Sequence, residues 1–324
     1  MSGSALLSLD RLAVTLPGGV PVIHDATLHV EPGEIVGIAG ESGSGKSLTA
    51  AALLNLLPAG SRVTGGATFA GEDLLGLDRA GWRRIRGAGI SMVFQDPTAA
   101  LHPMLPIGRQ LTEHMRRHLG LSRSDARARA VELLDQVRIP DPQRTLRSYP
   151  HQFSGGMRQR VAIAIALACR PKLLIADEPT TALDVTVQAG ILALLSRLRD
   201  ETGLSVLFIT HDLGVLSALT SRTYVFYAGR VMETGPTGAL LSTPRHPYTA
   251  ALLGARPHGA AGVGSLRPIP GSPVVPGQAP PGCPFAPRCD FATADCTSAP
   301  PEPAPIGTDR LSACPVAPEL EVTP

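Results

Sequence analysis

Eight consecutive residues, Gly40-Glu41-Ser42-Gly43-Ser44-Gly45-Lys46-Ser47, fit the spacing G-x-x-x-x-G-K-[ST] at every position. Glycines let successive backbone N–H groups turn toward one anion, and a helix starting at the lysine adds its positive end. In that arrangement Lys46 reaches the β- and γ-phosphates of a nucleotide and Ser47 Oγ takes a place on Mg2+. The competing reading is a flexible Gly/Ser turn. The choice of lysine argues against it: among 29 basic residues only Lys46 and Lys172 are Lys. A chain that otherwise writes Arg keeps Lys where a compact ammonium serves better than a planar fork.

A second constellation is Lys172-Leu-Leu-Ile-Ala-Asp177-Glu178, an apolar run that ends in two carboxylates. Adjacent residues at a strand end point different ways, so the pair can divide labour. Asp177 holds Mg2+ through its water shell, and Glu178 faces the γ-phosphate and polarises the attacking water. The bland alternative is a solvated acidic strand end. A third is Phe153-Ser154-Gly155-Gly156-Met157-Arg158-Gln159-Arg160, where Ser154 is a good N-cap and the helix start is another anion site. Alone it reads equally as an ordinary capped helix.

The elements needed to position these groups are legible in outline. Residues 5–16 and 22–30 alternate apolar and polar, as antiparallel strands with one wet face do. Glu34 to Ala39 is a short apolar strand, followed by the glycine loop and a helix over Leu48 to Leu57, which Pro58 and Gly60 close. From about 98 to 160 the pattern is helical, with Val131, Leu134 and Val137 at helix spacing within Ser124 to Arg138. Leu173 to Ala176 and Ser205 to Thr210 read as buried strands, with a helix over Val187 to Arg199 between them. Such alternation predicts a parallel sheet covered on both faces.

Bulk properties exclude other classes. The net charge is +2, too balanced for a sequence-independent nucleic-acid binder. A hydrophobic fraction of 44% supplies a full core. The longest apolar run, Val161 to Cys169, is about half of the roughly 20 residues that a membrane span needs. No charged-then-apolar leader opens the chain, so the expectation is a soluble, intracellular protein. Of 31 prolines, 19 follow residue 230, and four of the five cysteines lie between 283 and 314. The last quarter is therefore expected to be an appended segment with little regular structure and little core of its own.

Taken together, the loop at 40–47, Gln95 in Val-Phe-Gln-Asp-Pro, Ser154-Gly155-Gly156, Asp177-Glu178, Ala182-Leu183-Asp184 and His211 in Ile-Thr-His-Asp resemble the ordered motifs of an ABC-transporter ATPase. In that family they are the Walker A, Q-loop, signature, Walker B, D-loop and switch-histidine elements. The resemblance implies a P-loop α/β ATPase with a mixed, largely parallel sheet core, an antiparallel β subdomain and a helical subdomain near 98–160. It implies an ATPase domain over 5–240 and a proline-rich, cysteine-bearing extension over 241–324. ATP would lie on Gly40, Glu41, Ser42, Gly43, Ser44, Gly45, Lys46 and Ser47, with Mg2+ on Ser47, Gln95 and Asp177. Glu178, His211 and Gln95 would serve hydrolysis. Ser154, Gly155 and Gly156 would face the ATP of a second ATPase subunit, identical or homologous. One departure is Leu16, where the family usually places an aromatic residue to stack on adenine.

The tail, with His246-Pro-Tyr248-Thr and Pro281-Gly-Cys283-Pro-Phe-Ala-Pro-Arg288-Cys289, resembles the extension of dipeptide/oligopeptide importer ATPases. That implies two transmembrane permease subunits, an extracytoplasmic peptide-binding protein, and a peripheral place on the cytoplasmic face of the membrane. A nickel-importing branch is similar in the core. A non-transport ABC ATPase of DNA maintenance is the alternative from another class, though the stretch from Lys46 to Ser154 is short and has no sustained heptads. Cys283, Cys289, Cys296 and Cys314 form a local thiol set. The resemblance implies a [4Fe–4S] cluster there, with Zn2+ or unligated thiols as alternatives. Cys169 reads as core packing, Met92 and Met104 as gap-fillers, and Arg83, Arg84 and Arg86 near Trp82 as a solvated surface.

Overall fold

Two burial patterns sort the strands of the computed structural model, which describes residues 5–181, 183–255 and 268–316. Strands that alternate between buried and exposed residues have one wet face, whereas those buried throughout are covered on both. In chain order the first elements are β1 (Leu7–Leu16), β2 (Val20–Val30), β3 (Ile35–Ala39), α1 (Lys46–Leu53), β4 (Arg62–Phe69) and β5 (Glu72–Asp73). Then come α2 (Arg79–Ile85), β6 (Ile90–Val93), α3 (Pro97–Ala100), α4 (Ile107–Leu119), α5 (Arg123–Gln136) and α6 (Pro142–Thr145). They are followed by α7 (Gly155–Leu167), β7 (Leu173–Asp177), α8 (Val185–Thr202) and β8 (Ser205–Ile209). The chain continues with α9 (Leu213–Leu219), β9 (Arg222–Tyr227), β10 (Arg230–Pro236), α10 (Thr237–Ser242), α11 (Pro247–Gly254), β11 (Ala304–Gly307) and β12 (Arg310–Ser312).

The chain divides into two units, one of residues 1–31, 35–75 and 210–324, the other of 32–34 and 76–209. In the first unit β2-β1-β4-β5 form an antiparallel sheet, with Leu7 opposite both Val30 and Phe69. The same unit pairs β3 in parallel with β9, then β9, β10, β12 and β11 antiparallel in succession. Ala228 and Gly229 turn β9 into β10 with φ of 46° and 75°. A Cβ at Gly229 would lie 2.3 Å from the Val22 carbonyl oxygen, so close backbone approach demands glycine there.

The carboxy-terminal extension packs on β9 and β10 through an aromatic cluster. Tyr227 and Tyr248 have ring centroids 4.6 Å apart, and Phe285 meets Tyr227 edge-on at 5.5 Å and Tyr248 at 5.2 Å. Val225, Met232, Cys283 and Cys296 complete this core. The expectation of a nearly coreless tail is thereby corrected: three rings, each with a large apolar surface, replace the missing aliphatic runs. Glu233 is fully buried and ties three elements together. It accepts from Arg245 N at 2.9 Å, His246 N at 3.0 Å and Arg310 Nη2 at 2.7 Å.

In the second unit β8, β7 and β6 run parallel, Leu173 facing both Ile90 and Ser205, and β7 and β8 are buried at every position. The helical stretch expected from 98 to 160 is present as five helices, α3 to α7, interrupted at Pro106, Gly120 and Pro150. Ser122 caps α5, its Oγ accepting from Asp125 N at 3.1 Å. The apolar run from Val161 is the buried α7, and Cys169 beyond it is buried, which pushes its thiol pKa up. Helix α1 stops at Leu53 instead of Leu57. Leu54 and Asn55 make i→i−3 bonds to Ala51 and Ala52, and Asn55 turns left-handed at φ 49°. Among the described residues no helix is long and apolar enough to cross a membrane.

His246 provides a test of the tail's packing. Its Nδ1 accepts from Tyr248 N at 3.0 Å and so caps α11, and complete burial lowers its pKa from 6.5 to about 3. The unfolded chain therefore binds a proton that the folded chain refuses. Stability is full above pH 6.5 and falls as the pH drops toward 3, by about 2 kcal/mol at pH 5. Thermal midpoints measured from pH 7.5 to 5 should fall in the wild type, and their slope should flatten in His246→Asn, which keeps a capping acceptor without the titration.

Candidate active site

The loop between β3 and α1 is shaped by glycine. Gly40, Gly43 and Gly45 have φ of 148°, 80° and 103°, conformations that L side chains rarely adopt. At Gly40 an added Cβ would lie 2.2 Å from the Phe226 carbonyl oxygen. The loop folds back on its own lysine. Lys46 is 4% exposed, and its Nζ donates to the carbonyls of Gly40 at 2.7 Å and Glu41 at 2.8 Å. Helix α1 begins at Gly45 with no side-chain cap and no acidic residue in its first turn. An uncapped positive helix end, an ammonium and the exposed hydroxyl of Ser47 together fit a phosphate with its Mg2+. Ser42 and Gly43 are exposed beside them, and Ser44 is buried.

Also in this unit, His211 is exposed between Thr210, whose N–H donates to Ile38 O at 3.0 Å, and Asp212, which caps α9 by accepting from Gly214 N at 2.7 Å. Leu16 ends β1 half-buried, paired with Val20.

The second unit brings two predicted residues into contact. Asp177 is buried at the end of β7, and Glu178 follows it in the left-handed region at φ 45°. Glu178 N donates to Ile209 O at 2.9 Å, which holds that turn. The left-handed backbone at Glu178 changes the chain direction immediately after Asp177. Glu178 Oε2 accepts from Gln95 Nε2 at 3.2 Å and from Thr181 Oγ1 at 2.9 Å. Gln95 reaches it from beyond β6, where Asp96 caps α3 by accepting from Thr98 N at 2.7 Å. Thr181 is a partner that sequence reasoning missed; its place three residues after Glu178 was the available signal.

Ser154 caps α7, its Oγ accepting from Met157 N at 3.4 Å, and both Ser154 and Gly155 are exposed. Gly156 is small for a packing reason, because a Cβ there would lie 2.6 Å from Val187 Cγ1. Asp184 caps α8 by accepting from Val187 N at 2.9 Å, so its described role is structural. Ala182 of the same motif lies outside the described residues. The loop 40–47 and His211 thus belong to the first unit, and Gln95, Ser154, Asp177 and Glu178 to the second.

The tail cysteines lie near one another. Burial pushes the Cys283 thiol up, and the Cys289 thiol up to about 11; Cys296 and Cys314 are charge neighbours of both. Cys283 and Cys296 are buried in the aromatic cluster. Among the described residues no group of three or more His, Cys, Asp or Glu side chains could hold a metal ion. Nothing among the described residues thus supports the expectation of [4Fe–4S] or Zn2+ on Cys283, Cys289, Cys296 and Cys314. Met104 is 77% exposed in the turn before α4, which corrects its reading as a gap-filler. Arg83 and Arg84 are exposed as expected, while Arg86 lies over the Trp82 ring at 5.1 Å.

Comparison with known proteins supplies the frame for these groups. Residues 23–181 match the ABC transporter family, and residues 232–296 match the oligopeptide/dipeptide transporter C-terminal region. A Brucella abortus relative with a peptide import ATP-binding name is 51% identical over 317 residues, 96% of this chain and 94% of its own. The oligopeptide transport ATP-binding protein OppD of Salmonella typhimurium is 46% identical, covering 96% of this chain and 93% of its own. Among solved structures, the dimeric post-hydrolysis state of the ATP-binding cassette MJ0796, bound to ADP and Pi, aligns with a TM-score of 0.64. It is 30% identical and covers 71% of this chain and 98% of its own.

The loop geometry separates two glycine substitutions. Gly40→Ala forces its Cβ against the Phe226 backbone, and we expect a loss of about 2 kcal/mol or more in urea unfolding, with Mg·ATP binding lost in titration. Gly43→Ala meets nothing within 4 Å and bears only the conformational penalty, about 1 kcal/mol.

Proposed function

The chain belongs to the ABC transporter family, and from that premise we propose that it binds and hydrolyses ATP to drive peptide import through separate membrane subunits. The observation that carries the reading is the Glu178 carboxylate at the end of β7, hydrogen-bonded to Gln95 and Thr181. Gly40 to Ser47 hold the triphosphate, with Lys46 exchanging its loop carbonyls for phosphate oxygens. Ser47, Gln95 and Asp177 would hold Mg2+, which would supply charge neutralisation to the phosphates. Glu178 accepts a hydrogen bond from the attacking water, whose oxygen bonds to the γ-phosphorus as the bond to the β–γ bridging oxygen breaks. ADP and inorganic phosphate leave, and the water proton passes through Glu178 to the phosphate. His211 donates to the γ-phosphate, and Gln95 connects the site to the membrane partner.

The exposed start of α7, with Ser154, Gly155 and Gly156, faces the nucleotide of a second ATPase subunit. The dimeric state of the MJ0796 relative supports that pairing. Peptide as the cargo is supported by the match of residues 232–296 and by the names of the relatives. Two transmembrane permeases and a peptide-binding protein complete the importer, with this chain peripheral at the cytoplasmic face. A metal cluster on the four cysteines has only their proximity in its favour; iron, sulfide and zinc analysis of anaerobically purified protein decides it.

Glu178→Gln keeps the shape and loses the base. Its steady-state ATPase rate should fall by at least about 100-fold while Mg·ATP affinity stays within about threefold. A rate near that of the wild type would overturn the assignment. Deleting the chain from its host should abolish uptake of a labelled oligopeptide, and uptake should return with the wild type and not with Glu178→Gln.

A further inference from the structure

Glu41, the second residue of the phosphate loop, is gripped from the far end of the chain. Arg288 Nη1 donates to Glu41 Oε2 at 2.6 Å and Nη2 to Oε1 at 3.0 Å, a two-pronged pair joining residues 247 apart in sequence. The Glu41 N–H donates to Tyr248 Oη at 2.8 Å. The Glu41 carbonyl accepts from Lys46 Nζ at 2.8 Å. The N–H and side chain of this one residue are thus held by the extension, while its carbonyl seats the lysine that the ATPase reading assigns to phosphate.

The anchor itself is built to stay put. Arg288 is 4% exposed, against 20% for Glu41. Two further donors are engaged: Nε donates to Pro270 O at 2.7 Å, and Nη1 also to Tyr227 Oη at 3.2 Å. The guanidinium lies over the Tyr227 and Phe285 rings at 5.8 and 5.9 Å. Arg288 closes a short turn bounded by cysteines, with Ala286 N bonded to Cys283 O and Cys289 N to Ala286 O. Burying an ion pair is costly, and an apolar side chain would pack the same aromatic cluster without that cost. What an apolar residue cannot do is orient a loop carboxylate and cancel its charge.

We propose that Arg288 and Tyr248 are positioning residues for the phosphate loop. By clamping Glu41 they fix the carbonyl that seats Lys46, and they neutralise a carboxylate that would otherwise oppose an incoming triphosphate. The extension is therefore part of the nucleotide site's support despite its distance along the chain. The inference rests on the ATPase reading given above.

The test uses the full-length chain and Mg·ATP, by calorimetric titration and steady-state hydrolysis, with thermal unfolding recorded for each variant. Arg288→Ala should raise the Kd and the KM for ATP about tenfold or more while kcat changes less than about twofold. Tyr248→Phe keeps the ring in its cluster and removes only the acceptor, and should raise the Kd about fivefold. Adding Glu41→Gln to Arg288→Ala removes the uncompensated charge and should recover binding to within about threefold of the wild type, which simple loosening of the tail would not allow. The proposal is overturned if Tyr248→Phe binds within about twofold of the wild type, or if the double variant binds no more tightly than Arg288→Ala. Should Arg288→Ala fail to fold, Tyr248→Phe decides alone. A wild-type chain that does not bind Mg·ATP contradicts the ATPase reading. Wild-type binding that is lost in Lys46→Ala but unchanged in Tyr248→Phe contradicts the clamp alone.

Discussion

A lysine that is 4% exposed needs compensation for its ammonium where it stands, because an unpaired buried charge is far costlier than a polar surface one. Lys46 finds it in two backbone carbonyls of its own loop, and that requirement propagates outward. For the Gly40 and Glu41 carbonyls to point at one nitrogen, the loop must turn with φ values that only glycine adopts readily. The backbone of Phe226, on β9, comes so close to Gly40 that a methyl group cannot intervene. Glu41 in turn needs partners for its N–H and its carboxylate, and Tyr248 and Arg288 provide them. One buried cation thereby ties the β3–α1 junction, the β9–β10 hairpin and the carboxy-terminal extension into a single supported system.

The carboxylate of Glu178 is held by a different device. It follows a fully buried strand and sits in a left-handed backbone conformation, a local strain that the bond from its own N–H to Ile209 helps to maintain. The strain lets Asp177 stay buried while Glu178 turns toward Gln95 and Thr181. A carboxylate held in this way is preorganised before any ligand arrives.

The extension shows how a proline-rich segment acquires order with few aliphatic residues. Three aromatic rings supply apolar area, and polar ties do the rest: Glu233 accepts from two backbone N–H groups and one guanidinium, and His246 caps α11. Arg288 belongs to both systems, since it lies over the rings and also grips Glu41. Order in the tail and geometry in the loop are therefore two aspects of one packing arrangement.

Local chemistry was legible in the amino-acid sequence. The glycine spacing of 40–47, the Lys46 ammonium, the paired Asp177 and Glu178, the Ser154 cap and the strands β1, β2, β3, β7 and β8 all follow from short-range pattern. So does the family, whose motifs are themselves local. The sequence was silent where the deciding contact spans a long loop. Nothing near Glu41 announces Arg288, because loop closure brings together residues that share no periodicity. Strands β4, β9 and β10 escaped notice since glycines interrupt the first and the other two form a hairpin whose role is set by packing. Four cysteines in one segment read as metal ligands; the tertiary structure places Cys283 and Cys296 in a core with aromatic rings, where desolvation pushes the Cys283 pKa up. Residue types and spacing decided which chemistry this chain carries. Only the fold decided which distant side chains support it, because support is a matter of burial and partners in space.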